Sequence, residues 1–174
     1  MRILARALLA SVAIVCSAGA GAVASAGAQG SVSGGTLVSR AVELERAGKN
    51  HEAVAAWRDA IAGGAVLPGV LGLERLLTVL GQEVDLLIAL DTLVPRFPDE
   101  PQLRAAQLRT LIALGRDAEA DAAFRRWRDT RPRDVAPYRD YARVLLFNDR
   151  TTKADTLLVE AGERLGQTRA LLLE

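Results

Sequence analysis

The chain contains one cysteine, one histidine and one methionine in 174 residues, and only 4% of it is aromatic. A single cysteine excludes a disulfide framework, and a single histidine excludes a His-rich metal site. His51-Glu52 opens like a zinc-protease helix, but the second imidazole needed four residues on is replaced by Ala55. His51 is therefore expected on the surface. Charge of one sign is also lacking: the formal net charge of +1 argues against a strongly basic nucleic-acid binder. No strand pattern is visible, and so no Gly-rich phosphate loop following one. What is present is 50% hydrophobic residues, rich in Ala and Leu. That composition argues against a disordered chain and for close-packed helices.

The first 28 residues are read as a secretory signal peptide. Arg2 and Arg6 precede an uncharged apolar run from Ala7 to Val15, and Ala26-Gly27-Ala28 offers small residues before cleavage at Gln29. Ala24 and Ala26 are alternative cleavage points. The run is too short for a membrane span, which needs roughly 20 apolar residues. Cys16 raises the alternative of a membrane lipoprotein, although Val15 stands where such signals resemble one another in having Gly, Ala or Ser. Cleavage after Ala28 removes Arg2 and Arg6 and leaves 20 basic against 21 acidic residues and no cysteine. Residues 29–35 are expected to form a flexible linker.

Beyond the linker the sequence repeats. Gly48, Gly81 and Gly115 each end a helical pattern at spacings of 33 and 34 residues, and Asp149 stands 34 further on. Five positions after each comes Ala53, Leu86, Ala120 or Ala154. Nine after comes Trp57, Leu90, Phe124 or Leu158; twelve after comes Ala60, Leu93, Trp127 or Ala161. Pro98 and Pro132 fall in the loops. The last block also carries Tyr138, Tyr141, Ala142 and Leu145 in its first helix.

This register resembles the tetratricopeptide repeat over blocks 34–66, 67–100, 101–134 and 135–168. The resemblance implies an all-α, right-handed α-solenoid of about four helix pairs, with residues 169–174 as a C-terminal capping stub. The physical logic agrees: small residues at Ala53, Ala120 and Ala154 let paired helices approach, and Trp57 and Phe124 fill the gap one turn later. Gly at the turn supplies a left-handed cap, and Asn148-Asp149 substitutes because Asn and Asp tolerate that conformation. Leu86 and Trp127 replace small residues, which is read as repeat variation with a local pocket as the alternative.

Several charged groupings are read as structural. Glu83 with Asp85, and Asp117 with Glu119, sit in first turns where negative charge meets the helix dipole. The cluster Arg125, Arg126, Arg128, Arg131 and Arg133 is read as a solvated convex face, with Asp121 four residues before Arg125 as a neutralising partner.

At 100° per residue, positions 2, 5, 9, 12 and 13 of each first helix point away from its partner helix and would line the concave groove of a stacked repeat. Those positions hold Val38, Val42, Leu71, Val79, Ala105, Ile112, Ala113, Leu146 and Phe147. They also hold Arg75, Arg109 and Arg143, 34 residues apart. Neither Arg75 nor Arg109 has an acid at a neighbouring turn of its own helix, so the counter-charge must come from elsewhere; an anionic ligand is one source. The tetratricopeptide family includes a Lys/Asn clamp for a C-terminal carboxylate. That set is missing here, which leaves anion recognition by arginine.

The expectation is an exported, non-catalytic scaffold that needs no cofactor or metal. It binds a protein or peptide partner, with acidic groups, in its concave groove, with no nucleic-acid partner, no membrane span after cleavage and no small-molecule ligand. An alternative is an accessory or assembly factor of the cell envelope acting through the convex face or Leu171 to Leu173. A remote one is a carboxylate-based glycan-active enzyme.

Overall fold

A computed structural model describes residues 33–166. The expected signal peptide over residues 1–28 with Cys16, most of the expected linker, and the expected capping stub 169–174 lie outside the described residues. Eight helices make up the described residues: α1 (Gly34–Arg46), α2 (Asn50–Ala62), α3 (Val66–Val79), α4 (Glu83–Leu93), α5 (Pro101–Ala113), α6 (Asp117–Thr130), α7 (Ala136–Phe147) and α8 (Thr151–Leu165). The described residues contain no strand. One boundary needs correction. Gly34 and Gly35, expected in the linker, are helical because the Ser33 side chain accepts a hydrogen bond from the Thr36 amide and starts α1.

The four expected turns share one geometry. Gly48, Gly81, Gly115 and Asp149 have φ of 72°, 66°, 69° and 58°, the left-handed region that a β-carbon disfavours. After each of them the next amide reaches back to a carbonyl five residues earlier: Lys49 to Leu44 at 3.0 Å, Gln82 to Leu77 at 2.8 Å, Arg116 to Leu111 at 2.8 Å and Arg150 to Leu145 at 2.9 Å. These bonds satisfy carbonyls that the helix ends would otherwise leave bare, and they turn the chain straight into the following helix.

Consecutive helices pack on one another throughout, and α5 also contacts α3 and α7. All twelve positions of the small–large–small pattern are buried, from Ala53, Trp57 and Ala60 to Ala154, Leu158 and Ala161. Leu86 and Trp127 are buried to 1% exposure, so the substituted positions are filled core. Two buried clusters result. One joins α1 to α4 and the start of α5 through Leu103 and Ala106; the other joins the rest of α5 to α8 and takes Leu87 from α4. α5 is thus the element shared by both. Gly69 and Gly72 bring α3 against α2, where Gly72 lies under the Trp57 ring. His51 is exposed, as expected.

Candidate functional site

The first helices α3, α5 and α7 form one continuous face. On α5, Pro101, Ala105 and Arg109 recur every four residues and so share a side; on α7, Arg139 or Asp140, Arg143 and Phe147 do the same. Together with Leu71 of α3 they line a cavity of about 500 Å³, which Gln102, Val144 and Asn148 complete. Its rim is partly apolar: Phe147 is 88% and Leu71 is 44% exposed.

Five of the twelve groove residues singled out in the sequence therefore meet in one place: Leu71, Ala105, Arg109, Arg143 and Phe147. The others do not. Arg75 lines a separate hollow of about 330 Å³ with Val42, Glu45 and Arg46. Val79 is exposed near the end of α3, outside the cavity. Ile112, expected on the groove, is 4% exposed and belongs to the buried cluster that includes Val144 and Leu145, because α7 packs over that side of α5. Leu146 is half-buried and packs against the same cluster. Gln102 and Arg139 sit at positions 2 and 5, on the face that periodicity indicates, but neither fits a search for apolar side chains or a 34-residue arginine spacing.

The counter-charges of two stripe arginines come from inside the protein. Arg75 donates from Nε to Glu45 Oε1 at 2.9 Å and from Nη2 to Oε2 at 2.7 Å. Arg109 makes the same two-pronged contact with Glu74, at 2.6 and 2.8 Å. Each acid lies on the preceding first helix, so the pairs tie α1 to α3 and α3 to α5. Glu45 also accepts a bond from Trp57 Nε1 at 3.2 Å. The Arg75 guanidinium holds the Glu45 carboxyl below its usual range, assisted by Trp57 and opposed by burial. No anionic ligand is required to neutralise Arg75 or Arg109. Arg139 on the cavity wall is engaged by Asp140 at 2.8 Å, which raises its pKa.

Members of the other charged groupings, Asp117, Glu119, Asp121, Arg128 and Arg131, are also internally engaged. Glu119 forms an ion pair with Arg116 at 2.6 Å, and Asp117 lies 3.5 Å from Arg150 of the next turn. Asp121, expected to neutralise Arg125, instead contacts Lys153 at 2.7 Å and accepts a 2.5 Å bond from the Tyr141 hydroxyl. Lys153 of α8 approaches Asp121 across the α6–α8 gap. Tyr141, Phe124 and Leu157 floor a hollow of about 420 Å³ beside this group, with Arg128 and Glu160 opposite at 3.0 Å. Arg131 reaches Asp99 at 2.5 Å.

Comparison with protein-family models gives no match to this chain, and comparison with curated proteins finds no relative.

Proposed function

We propose that the protein is an exported, tetratricopeptide-like right-handed solenoid without catalytic activity, whose concave face is the α3–α5–α7 face and holds a peptide segment of a protein partner. The observation that carries this reading is the open cavity spanning three first helices, with exposed Leu71 and Phe147 among Arg109, Arg139 and Arg143. An aromatic and arginine surface of this kind resembles the centre of a protein interface, where large apolar anchors and guanidinium groups concentrate binding energy. Because Glu74 and Asp140 already engage Arg109 and Arg139, the partner's apolar anchors supply most of the affinity and its acidic groups add orientation.

The test is selection from a displayed peptide library against the whole chain. Selected peptides should carry apolar residues beside an acidic one. Phe147→Ala should lower their affinity by about 2 kcal/mol or more, the range for a central anchor. Arg143→Gln should lower it less and reduce its salt dependence. Peptides that bind Phe147→Ala and Arg143→Gln as tightly as wild type would exclude this face.

A second reading has its own support. Val84 and Ile88 lie one turn apart on α4 and are both exposed, on a second helix rather than a first. This pair favours a contact through the convex side, as expected of an envelope assembly factor; peptides sensitive to Ile88→Ala but not Phe147→Ala would select it.

A further inference from the structure

Position 4 of each first helix faces the partner helix, and it holds Leu37, Val70, Arg104 and Tyr138. Val70 and Tyr138 are buried at 1% exposure, and Leu37 packs against the core. Arg104 breaks the pattern: it is a permanently charged side chain in a core register. Its Nε is buried and has no hydrogen-bond acceptor. The rest of the side chain is only half-buried, but a buried N–H without an acceptor is costly, and a bound water or ion commonly completes such a group.

The cavity beside Arg104 supplies room for one. It measures about 310 Å³ and lies between α4 and α6. Arg126 stands on its wall, and no carboxylate pairs with Arg104 or Arg126 among the described residues. The two acids that also line the cavity are already engaged: Asp91 accepts from Gln107 at 2.7 Å, and Glu119 is held by Arg116. Burial lowers the Arg104 pKa, and the charges of Arg131 and Arg126 lower it further. Arg131 and Arg126 therefore repel Arg104.

We propose that this cavity is a binding site for a small oxyanion, a carboxylate or a phosphate, received by the Arg104 guanidinium with Arg126 as its second cation. A planar fork of N–H donors suits an oxyanion, and charge-assisted bonds to it are stronger than neutral ones. The ligand completes the orphan donor and relieves the repulsion between arginines. The site is separate from the α3–α5–α7 face, and the proposal stands whether or not that face binds a peptide.

The test is an NMR titration of the full-length chain with inorganic phosphate and, in parallel, with acetate and succinate, at constant ionic strength maintained with chloride. The Arg104 Nε–Hε signal should shift saturably with at least one of these anions. A phosphate-selective response identifies a phosphate site, and a response to acetate or succinate identifies a carboxylate site. Arg126→Gln should weaken the response at least about tenfold, the loss of one charged hydrogen bond. Arg104→Met places an apolar side chain of similar length in the core register and should abolish the saturable response seen by the neighbouring amides. If Arg104→Met does not fold, the Arg126→Gln titration and the wild-type Nε–Hε signal still decide the matter. Only linear shifts in wild type, or a saturable response unchanged in Arg126→Gln or in folded Arg104→Met, would overturn the proposal.

Discussion

Gly72 of α3 lies so close to Trp57 of α2 that a β-carbon there would sit 2.3 Å from the indole ring. Trp57 is buried at 3% exposure, and its Nε1 is tied to Glu45, so the ring has little freedom to retreat. Gly72→Ala should therefore destabilise the protein by about 1–3 kcal/mol through overpacking, despite the better helix propensity of Ala. Trp57→Ala should cost about 3–5 kcal/mol. In the Trp57→Ala background, Gly72→Ala should become neutral or stabilising, since the clash is gone. Urea denaturation of the four proteins measures the cycle, and simple additivity would refute the contact.

Glu45 links acid stability to the α1–α3 pair. Its folded pKa is lowered, chiefly by Arg75, so it contributes stability that is present above the unfolded glutamate value of about 4.3. That contribution is lost as pH falls through the lower folded value. Glu45→Gln should remove this component. The stability difference between wild type and Glu45→Gln should shrink on acidification below about pH 4.3, measured by thermal unfolding across pH.

Tyr141 has the opposite sign. Burial and its hydrogen bond to Asp121 raise the phenol pKa well above its usual value. The neutral phenol is the form the fold prefers, so its contribution is present below the unfolded value of about 10 and lost as pH rises beyond it. Tyr141→Phe should cost about 1.5 kcal/mol at neutral pH, at the low end for a bond to a charged group because Lys153 still engages Asp121. The wild-type advantage should then decline above about pH 10, read by the same unfolding assay.

Export is tested by the mature terminus. Mass spectrometry of the native protein should find it at Ser25, Gly27 or Gln29, with no lipid on Cys16. An acylated Cys16 at the terminus would make the protein a tethered lipoprotein.

The alternation of helix and turn was legible in the chain because its causes are local. Gly48, Gly81 and Gly115 take a left-handed φ that a β-carbon opposes, and Asp149 tolerates it. Ala53, Ala120 and Ala154 recur in register with the repeat, with Leu86 at the intervening position, and all are buried. First-helix periodicity also put Leu71, Arg109, Arg143 and Phe147, which line one cavity, on a common face. It could not separate Phe147 from Ile112, which share the first-helix face, because periodicity gives a direction around one helix and not the distance to the next. α7 covers Ile112, whereas Phe147 stays open near the end of α7. Nor could it pair Arg75 with Glu45 or Arg109 with Glu74, 30 and 35 residues away, since those contacts depend on how long side chains span stacked helices. Arg104 occupies position 4 of its block, on the side that faces the partner helix. Only tertiary packing decided that its Nε would be buried without an acceptor beside a cavity, because that depends on where α4 and α6 leave space.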